Sequence, residues 1–479
     1  MEDHCDAYPF WKELGVRGKV CVHVDAHLDV STDGFTSSSL QKILACGTRA
    51  DLEACRVSEY LPWGGFHCGN YLYPALVGGM VEHLVWVLPP HLPVGNPVEW
   101  ARDELQHWLE LTADEYRSLR AEDGRVEGRL AGRRLTLCTA DRLPPDLGRG
   151  EPVLLDLDVD YFLDPRDRVW QTPEALRRQL GDLPVEALTV AWSVNGGYTP
   201  LEHRYLGEVS LALFGEADER WNPVVDALLE EDRRRETPGT RADYAGVLEG
   251  LEAPPTWLRA AVALKQGLAD GEPPGGPRHL QAALLDEAWR LQPLNQGALH
   301  FRREEYDQAE AWLDRAAGES PDLEPLCRYM QGLADLKRHR LDGAAGRWLP
   351  LVSSPRLGPA ERSHVAYMRG KVLRSLGRAA EASDSLALAL EAWPDQPVFL
   401  HHLGLALRDA GRPEEAAAAL RRSVRLEPDR LGAADARLAL AEVYDTLGRA
   451  GLAQAERRRV AQTDPTGFRA LKACLRGAP

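Results

Sequence analysis

Four glycines in the second half of the chain begin segments that share one spacing of small and apolar residues. An alanine follows each glycine after 12 residues and a leucine or tryptophan after 16. The four sets are Gly297 with Ala309 and Leu313, Gly332 with Ala344 and Trp348, Gly370 with Ala382 and Leu386, and Gly404 with Ala416 and Leu420. A looser fifth segment contains Ala441, Ala453 and Pro465. Because small residues let two helices approach closely, this period of 34–38 residues predicts a stack of helix pairs.

The spacing resembles the tetratricopeptide repeat, a helix–turn–helix unit of about 34 residues. This resemblance implies an all-α solenoid over residues 279–479, with about five repeats and a concave face that binds a peptide or a protein partner. The preceding residues 218–278 are charged and are interrupted by proline and glycine, which predicts a helical connector.

Residues 1–217 alternate between apolar runs and amphipathic segments, which predicts a separate α/β domain. The runs at 19–25, 83–88, 134–138, 153–160 and 187–193 are the candidate strands. Several are continuously apolar, as expected of parallel strands that are covered on both faces. We therefore predict a three-layer α/β domain with a doubly wound, mostly parallel sheet, and a local hairpin over residues 125–138.

The composition narrows the classes of partner and the location. Acidic residues number 73 against 57 basic ones, and the formal charge of −16 argues against a general binder of nucleic acid or of an anionic membrane. The eight cysteines form no CxxC pair, which indicates reduced thiols. No secretory signal is visible, and no apolar run approaches the roughly 20 residues of a membrane span. We therefore expect a cytoplasmic protein.

Two acidic clusters stand at the ends of predicted strands. Asp25, His27 and Asp29 follow one apolar run, and Asp158 and Asp160 follow another. In an extended segment alternate side chains point the same way, so each cluster is expected to converge on one side. A single aspartate there would be explained as a helix cap or a turn residue. Carboxylates on two strands of valine and leucine are costly without cations, so together the clusters predict one metal site.

These motifs resemble those of the ureohydrolases, the arginase–agmatinase family, over nearly all of residues 1–215. The matching motifs are Asp3-His4, Asp25-Ala-His27-Leu-Asp29, Asp158-Val-Asp160 followed by Asp164-Pro165, and Gly197-Tyr-Thr-Pro-Leu-Glu202. The resemblance implies two Mn²⁺ ions. One would be held by His4, Asp25, Asp29 and Asp158, and the other by His27, Asp25, Asp158 and Asp160. It also implies that Glu202 binds the guanidinium of an arginine side chain, which is hydrolysed to ornithine and urea.

Two departures from the family point to an arginine within a peptide. Free-arginine enzymes read the α-carboxylate with an asparagine where this chain has Ser31. They carry a proton-shuttling histidine at the position of Leu72, two residues after a Gly-Asn. His67, on the other side of that Gly-Asn, is the candidate shuttle here. The nearest resemblance is therefore to the peptide arginases of ribosomal peptide biosynthesis, which implies an arginine-containing peptide as the substrate.

Other interpretations stay open. One is an agmatinase-like enzyme or another amidino hydrolase, and another is a metal-binding repeat scaffold without catalysis. A relative of the metal-dependent deacetylases is disfavoured, because no tandem histidines occur near residues 60–75. His23 is expected to be a satisfied strand histidine, and Asp156 is a candidate to orient a ligand histidine. Residues 63–66, Trp-Gly-Gly-Phe, are expected either to line the pocket or to form a plain turn.

Overall fold

A mixed β-sheet with flanking helices forms the N-terminal part of the chain, and paired helices form the rest. The structure is a computed structural model that describes residues 1–32, 35, 37–62, 64–92, 95–109 and 111–463. Its strands are β1 (Lys19–Val24), β2 (Val81–Val87), β3 (Arg120–Glu122), β4 (Arg125–Leu130), β5 (Arg133–Cys138), β6 (Val153–Asp158) and β7 (Val185–Ala191).

The helices are named in chain order. In the N-terminal part they are α1 (Ala7–Glu13), α2 (Ser37–Ala45), α3 (Arg49–Glu53), α4 (Leu72–Val77), α5 (Pro97–Leu109), α6 (Ala113–Ser118), α7 (Pro173–Leu180) and α8 (Tyr205–Glu216). Next come α9 (Asn222–Glu236), α10 (Thr256–Ala269) and α11 (Pro277–Leu285). The paired helices are α12 (Pro293–Arg302), α13 (Tyr306–Glu319), α14 (Glu324–Lys337), α15 (Leu341–Trp348), α16 (Pro359–Ser375), α17 (Ala379–Ala392), α18 (Pro397–Asp409), α19 (Pro413–Leu426), α20 (Gly432–Thr446) and α21 (Ala450–Thr463).

The strand order is β3-β4-β5-β2-β1-β6-β7. The five strands from β5 to β7 run parallel, and β3 and β4 add an antiparallel edge. The predicted hairpin is present as β4 and β5, and its turn residues Ala131 and Gly132 both have positive φ. The mixed sheet is consistent with the predicted α/β domain.

Alternating side chains of the strands supply two apolar cores, one on each face of the sheet. Cys21 and Leu84 belong to the core that includes α1 and α5, whereas Val22 and Leu155 belong to the opposite core. The second core also contains residues of α9, α10 and α11. The segment predicted as a connector therefore covers one face of the sheet.

Residues 97–120 do not form one continuous helix. Two helices, α5 and α6, lie there instead. The Thr112 side chain accepts the N–H of Glu115 at 3.2 Å, and Glu115 accepts the N–H of Thr112 at 2.8 Å. This reciprocal capping box begins a new helix at α6.

Close approach of paired helices explains the repeated glycines. A Cβ at Gly370 would lie 2.6 Å from Leu386 Cγ, and one at Gly404 would lie 2.5 Å from Leu420 Cγ. Only glycine therefore fits opposite the large residue that follows 16 positions later. The predicted helical repeats are confirmed from α12 to α21, while Pro465 lies outside the described residues. In the described ranges, no helix is both long and apolar enough to cross a membrane.

Candidate metal centre

The chain topology brings the two acidic clusters to neighbouring positions. β1 and β6 are adjacent and parallel, with His23 opposite Asp156, so Asp25 and Asp158 lie at the same edge of the sheet. His4 lies in a short 3₁₀ turn, His4–Asp6, just before α1. That turn is held near the end of β7, because the N–H of Trp192 donates to the carbonyl of Met1 at 3.0 Å.

His4 lies among three carboxylates. Its Nδ1 is 3.0 Å from Asp25 Oδ2, 3.2 Å from Asp29 Oδ2 and 3.1 Å from Asp158 Oδ2. Ligands that bind one cation at about 2.1 Å and at right angles are separated by about 3.0 Å. His4 Nδ1 and Asp25 Oδ2 are buried without a hydrogen-bond partner in the described part of the chain. The donor set therefore fits a divalent cation.

A second group of ligand atoms adjoins the first. His27 Nδ1 lies 2.8 Å from Asp160 Oδ2 and 3.6 Å from Asp25 Oδ1. Asp25 thus presents one oxygen to His4 and the other to His27, as a bridging carboxylate does. Asp158 presents Oδ2 to His4, while its Oδ1 accepts the N–H of Asp160 at 3.0 Å. The structure therefore brings all six predicted metal ligands together.

The first cluster converges by a turn and not by the extended segment that the sequence suggested. β1 ends at Val24, and the N–H of His27 donates to Asp25 Oδ1 at 2.6 Å. Asp29 then adopts a left-handed conformation with φ of 54°. Aspartate tolerates both features, because its short side chain bonds the nearby backbone and it visits left-handed φ more readily than most residues.

The centre holds more negative charge than its own histidines balance. Burial, together with the charges of Asp160, Asp29 and Asp158, raises the pKa of Asp25 to about 7. Burial alone would lower the pKa of His4, but the charge of Asp156 and the nearby carboxylates of Asp158 and Asp25 raise it well above 6.5. Positive charge is therefore favoured at this point, which is a property of a cation site.

The buried carboxylate of Asp156 lies next to His4 and His23. Asp156 is 0% exposed and accepts hydrogen bonds from the hydroxyls of Tyr71, at 2.5 Å, and Thr189. It also bonds His23 Nδ1 at 3.0 Å and lies 3.1 Å from His4 Nε2. Burial opposes its ionisation, but the charge of His4 and the bonds from His23 and His4 hold the pKa of Asp156 well below its usual range. His4 is thereby oriented with Nδ1 toward the cluster.

Sequence reasoning missed several of these supporting side chains. Ser193 donates its hydroxyl to Asp158 Oδ2 at 2.5 Å, and Tyr71 and Thr189 both donate to Asp156. Ser193 and Thr189 belong to the β7 region, which lies beside β6. Only their position on the strand beside β6 could have indicated this role for Ser193 and Thr189, because hydroxyl residues are common at strand ends.

His67 is buried close to the acidic centre. Burial lowers its pKa to about 4, and the charge of Asp29 only partly opposes this effect. Its Nδ1 accepts the N–H of Gly69 at 3.2 Å, while Nε2 is buried with no hydrogen-bond partner among the described residues. His67 is therefore neutral at neutral pH, and because Nδ1 accepts a hydrogen bond, the ring proton lies on Nε2.

Glu202 lines a different cavity from the predicted metal ligands His27 and Asp160. It lines a cavity of about 480 Å³ with His203, Arg235 and Arg303. Burial opposes its ionisation, but the nearby His203, Lys265 and Arg303 outweigh that effect and lower the pKa of Glu202. The two ends of the sequence motif 197–202 therefore line different cavities. Its first residues, Gly197 and Tyr198, line the cavity that also contains His27 and Asp160.

The cavity beside His27 and Asp160 is an open groove of about 470 Å³ between the α/β domain and the first repeats. Its walls include His27, Asp160 and Tyr198 on one side and Phe301, Arg302, Tyr306 and Lys337 on the other. His27 has 46% of its side chain exposed, whereas His4 has 1%. The centre therefore opens on the His27 side, toward the repeats.

Residues 63–66 were expected to line the pocket or form a turn, and the described residues of this segment, 64–66, pack against protein. Phe66 is buried in a core of the α/β domain. A Cβ at Gly64 would lie 2.4 Å from a ring carbon of Trp393 in the solenoid, and Leu61 belongs to a solenoid core. Trp63 lies outside the described residues. The solenoid thus holds a loop of the α/β domain next to the segment that carries His67.

Comparisons with known proteins identify the second half of the chain. Residues 329–397 and 402–467 match the Tetratricopeptide repeat family, so the C-terminal region carries tetratricopeptide repeats. A crystal structure of MamA is similar at 14% identity, with 37% of this chain and 92% of that chain covered and a TM-score of 0.32. MamA from Desulfovibrio magneticus RS-1 is similar at 18% identity, with 36% and 93% covered and a TM-score of 0.32. No curated protein matches the chain. Repeats of this class bind other proteins or peptides.

Proposed function

We propose that this protein is a manganese-dependent hydrolase that converts arginine side chains of a peptide to ornithine and releases urea. The observation that carries the proposal is the approach of His4 Nδ1 to within 3.0–3.2 Å of the carboxylates of Asp25, Asp29 and Asp158. Such a set suits a hard or borderline divalent cation.

The ligand atoms suggest how two cations would be held. His4, Asp25, Asp29 and Asp158 would hold one ion, and His27, Asp25, Asp158 and Asp160 would hold the other. When bound, such a pair supplies a hydroxide nucleophile near neutral pH and stabilises the charge that develops in hydrolysis. Asp156 keeps His4 in the ligand orientation, and Ser193 fixes one oxygen of Asp158.

Other residues of this chain would bind the substrate and move the proton. Glu202 is ionised, and a carboxylate binds a guanidinium through two parallel hydrogen bonds. Its cavity adjoins the groove, since Asp167 and Arg303 line both. His67 is the candidate proton shuttle, and its neutral ring would donate from Nε2, which carries the ring proton and has no hydrogen-bond partner within the described residues.

Two features favour a peptide over free arginine. Ser31, at the position where free-arginine enzymes read the α-carboxylate, is buried and donates its hydroxyl to the carbonyl of Trp108 at 3.3 Å. The groove is also open and is walled by a repeat domain of a class that binds peptides. An arginine within a peptide is consistent with both the buried Ser31 and the open groove.

The test uses the full chain, purified and loaded with Mn²⁺. Synthetic peptides that contain arginine are incubated with it, urea is measured, and mass spectrometry detects ornithine in the peptide. The same peptides with lysine in place of arginine are the substrate control. Asp158→Ala should abolish urea release, whereas Asp322→Ala on the solenoid surface should not. Turnover by Asp158→Ala, or the lack of ornithine in every arginine peptide with Mn²⁺ bound, would refute the proposal.

Two other functions are tested by the same preparation. Urea release from free agmatine or arginine, but not from peptides, would indicate an agmatinase-like or other amidino hydrolase. Mn²⁺ binding without any turnover would indicate a metal-binding scaffold, which the tetratricopeptide repeats favour as the second candidate.

A further inference from the structure

A tyrosine of the α/β domain contacts the exposed metal ligand. The rings of His27 and Tyr198 meet edge to face, with centroids 4.9 Å apart and planes at 76°. His27 Nδ1 faces Asp160 at 2.8 Å, so the orientation of this ring decides whether Nδ1 faces the second ligand group. Tyr198 is therefore placed to limit rotation of the His27 ring.

An arginine of the first repeat in turn covers Tyr198. The central guanidinium carbon of Arg302 lies 3.3 Å from the ring centroid, which is a close cation–π stack. Arg302 Nε donates to the carbonyl of Gly196 at 2.8 Å, and Nη2 lies 3.6 Å from Glu59 Oε1. The planar guanidinium of Arg302 thus contacts the Tyr198 ring, the carbonyl of Gly196 just before that ring in the chain, and Glu59.

The turn of residues 195–198 packs tightly against α12 of the first repeat. Gly197 has φ of +75°, and a Cβ there would lie 2.2 Å from the backbone nitrogen of Leu299 in α12. Asn295 of the same helix donates its Nδ2 to Asn195 Oδ1 at 3.0 Å. Because backbone packs on backbone at Gly197, α12 and the turn that carries Tyr198 are expected to move as one body.

We propose that Arg302 is a positioning residue of the metal centre, which holds Tyr198 against His27 so that docking of the first repeat sets the second cation site. This inference rests on the two-cation centre of the proposed function. It assigns to the repeat domain a role in building the site, in addition to any role in binding a partner. No contact between Arg302 and the substrate is required.

Titration of the full chain with Mn²⁺ alone tests the proposal, with occupancy followed by calorimetry and by the EPR signal of coupled Mn²⁺ pairs. Arg302→Ala should weaken the second cation about tenfold, at the lower end of the loss seen when a partner of a metal ligand is removed. The first cation should bind as in the unmodified protein. Arg315→Ala, which removes an exposed arginine of the same repeat that pairs with Glu319, should change neither step.

A second pair of variants gives the same answer if Arg302→Ala does not fold. Tyr198→Leu should weaken the second cation similarly, and Tyr198→Phe, which keeps the ring, should restore it. Equal affinities in Tyr198→Leu and Tyr198→Phe, or unchanged binding of both cations by folded Arg302→Ala, would overturn the inference and leave the proposed function standing. If the unmodified protein binds no Mn²⁺, both fail. If it binds two ions but releases no urea, only the reaction is refuted, and the effect of Arg302→Ala on binding would still support the inference.

Discussion

Replacing Asp156 with asparagine tests whether the carboxylate behind the first cation site orients His4. Three hydrogen bonds converge on this side chain, from the hydroxyls of Tyr71 and Thr189 and from His23 Nδ1, and His4 Nε2 lies 3.1 Å away. Asparagine keeps the shape but replaces one acceptor oxygen with an NH₂ group, so at least one donor must face another donor. Loss of a hydrogen bond to a charged group costs about 1.5–3 kcal/mol, and we expect about 2 kcal/mol less free energy of unfolding.

The effect on metal binding is measured separately from the effect on folding. Loss of a partner behind a ligand histidine lowers metal affinity about 10–100-fold, which corresponds to about 1.4–2.8 kcal/mol. Calorimetric titration with Mn²⁺ gives the affinity, and urea unfolding of the chelator-treated protein gives the stability. Tyr71→Phe is the matched control, because it removes one donor to Asp156 and leaves the carboxylate, so it should cost about 2 kcal/mol of stability but little affinity for Mn²⁺. A folded Asp156→Asn protein that binds Mn²⁺ as tightly as Tyr71→Phe would refute the assigned role.

Three further changes test other parts of the structure. Gly197→Ala combines a left-handed φ with a Cβ 2.2 Å from Leu299 N, so the free energy of unfolding should fall by about 2–4 kcal/mol. In the same urea titration Gly318→Ala should cause no loss of stability, because its Cβ meets open space in helix α13. Glu202→Gln should retain both Mn²⁺ ions in calorimetry but lose about 10–100-fold in kcat/KM for an arginine peptide, as expected for loss of a charged hydrogen bond; unchanged kcat/KM would contradict its assignment. Burial lowers the pKa of His364 to about 3, below the value of about 6.5 in the unfolded chain. The unfolded state therefore binds more protons, and the stability that the neutral ring contributes above pH 6.5 is lost as the pH falls toward 3. Between pH 7 and pH 5, His364→Gln should lose about 2 kcal/mol less stability than the unmodified protein, and equal losses would contradict this reasoning.

The sequence predicted the features that depend on the spacing of residues close together in the chain. The glycine of each repeat and the large residue 16 positions later are a single packing contact, as Gly370 and Leu386 show. The acidic clusters were predicted because each directly follows an apolar strand, and parallel strands end at one edge of the sheet. The break between α5 and α6 was also visible in principle, because Thr112 and Glu115 have the spacing of a capping box.

Contacts between distant segments could not be predicted in this way. Tyr198 and Arg302 are 104 positions apart, and neither residue belongs to a pattern that predicts the stack between them. The left-handed turn at Asp29 depends on neighbouring backbone contacts, since the carbonyl of Asp29 accepts the N–H of Leu72. The role of Glu202 was inferred from a motif, yet Glu202 lines a different cavity from Gly197 and Tyr198 of the same motif, and no local pattern predicts that division.

The α/β domain and the repeat domain depend on each other for the burial of apolar residues. Leu61 of the α/β domain is 2% exposed only because solenoid side chains surround it, and the second core of the sheet includes residues of α10 and α11 that lead into the repeats. At the far end of the solenoid, the N–H of Leu431 donates to the carbonyl of Leu111 at 2.9 Å. An α/β domain without the repeats would expose apolar residues such as Leu61 to water and lose the cation that covers Tyr198. The repeats are therefore structural partners of the candidate metal centre, and any peptide that reaches His27 passes a wall that the first repeat supplies.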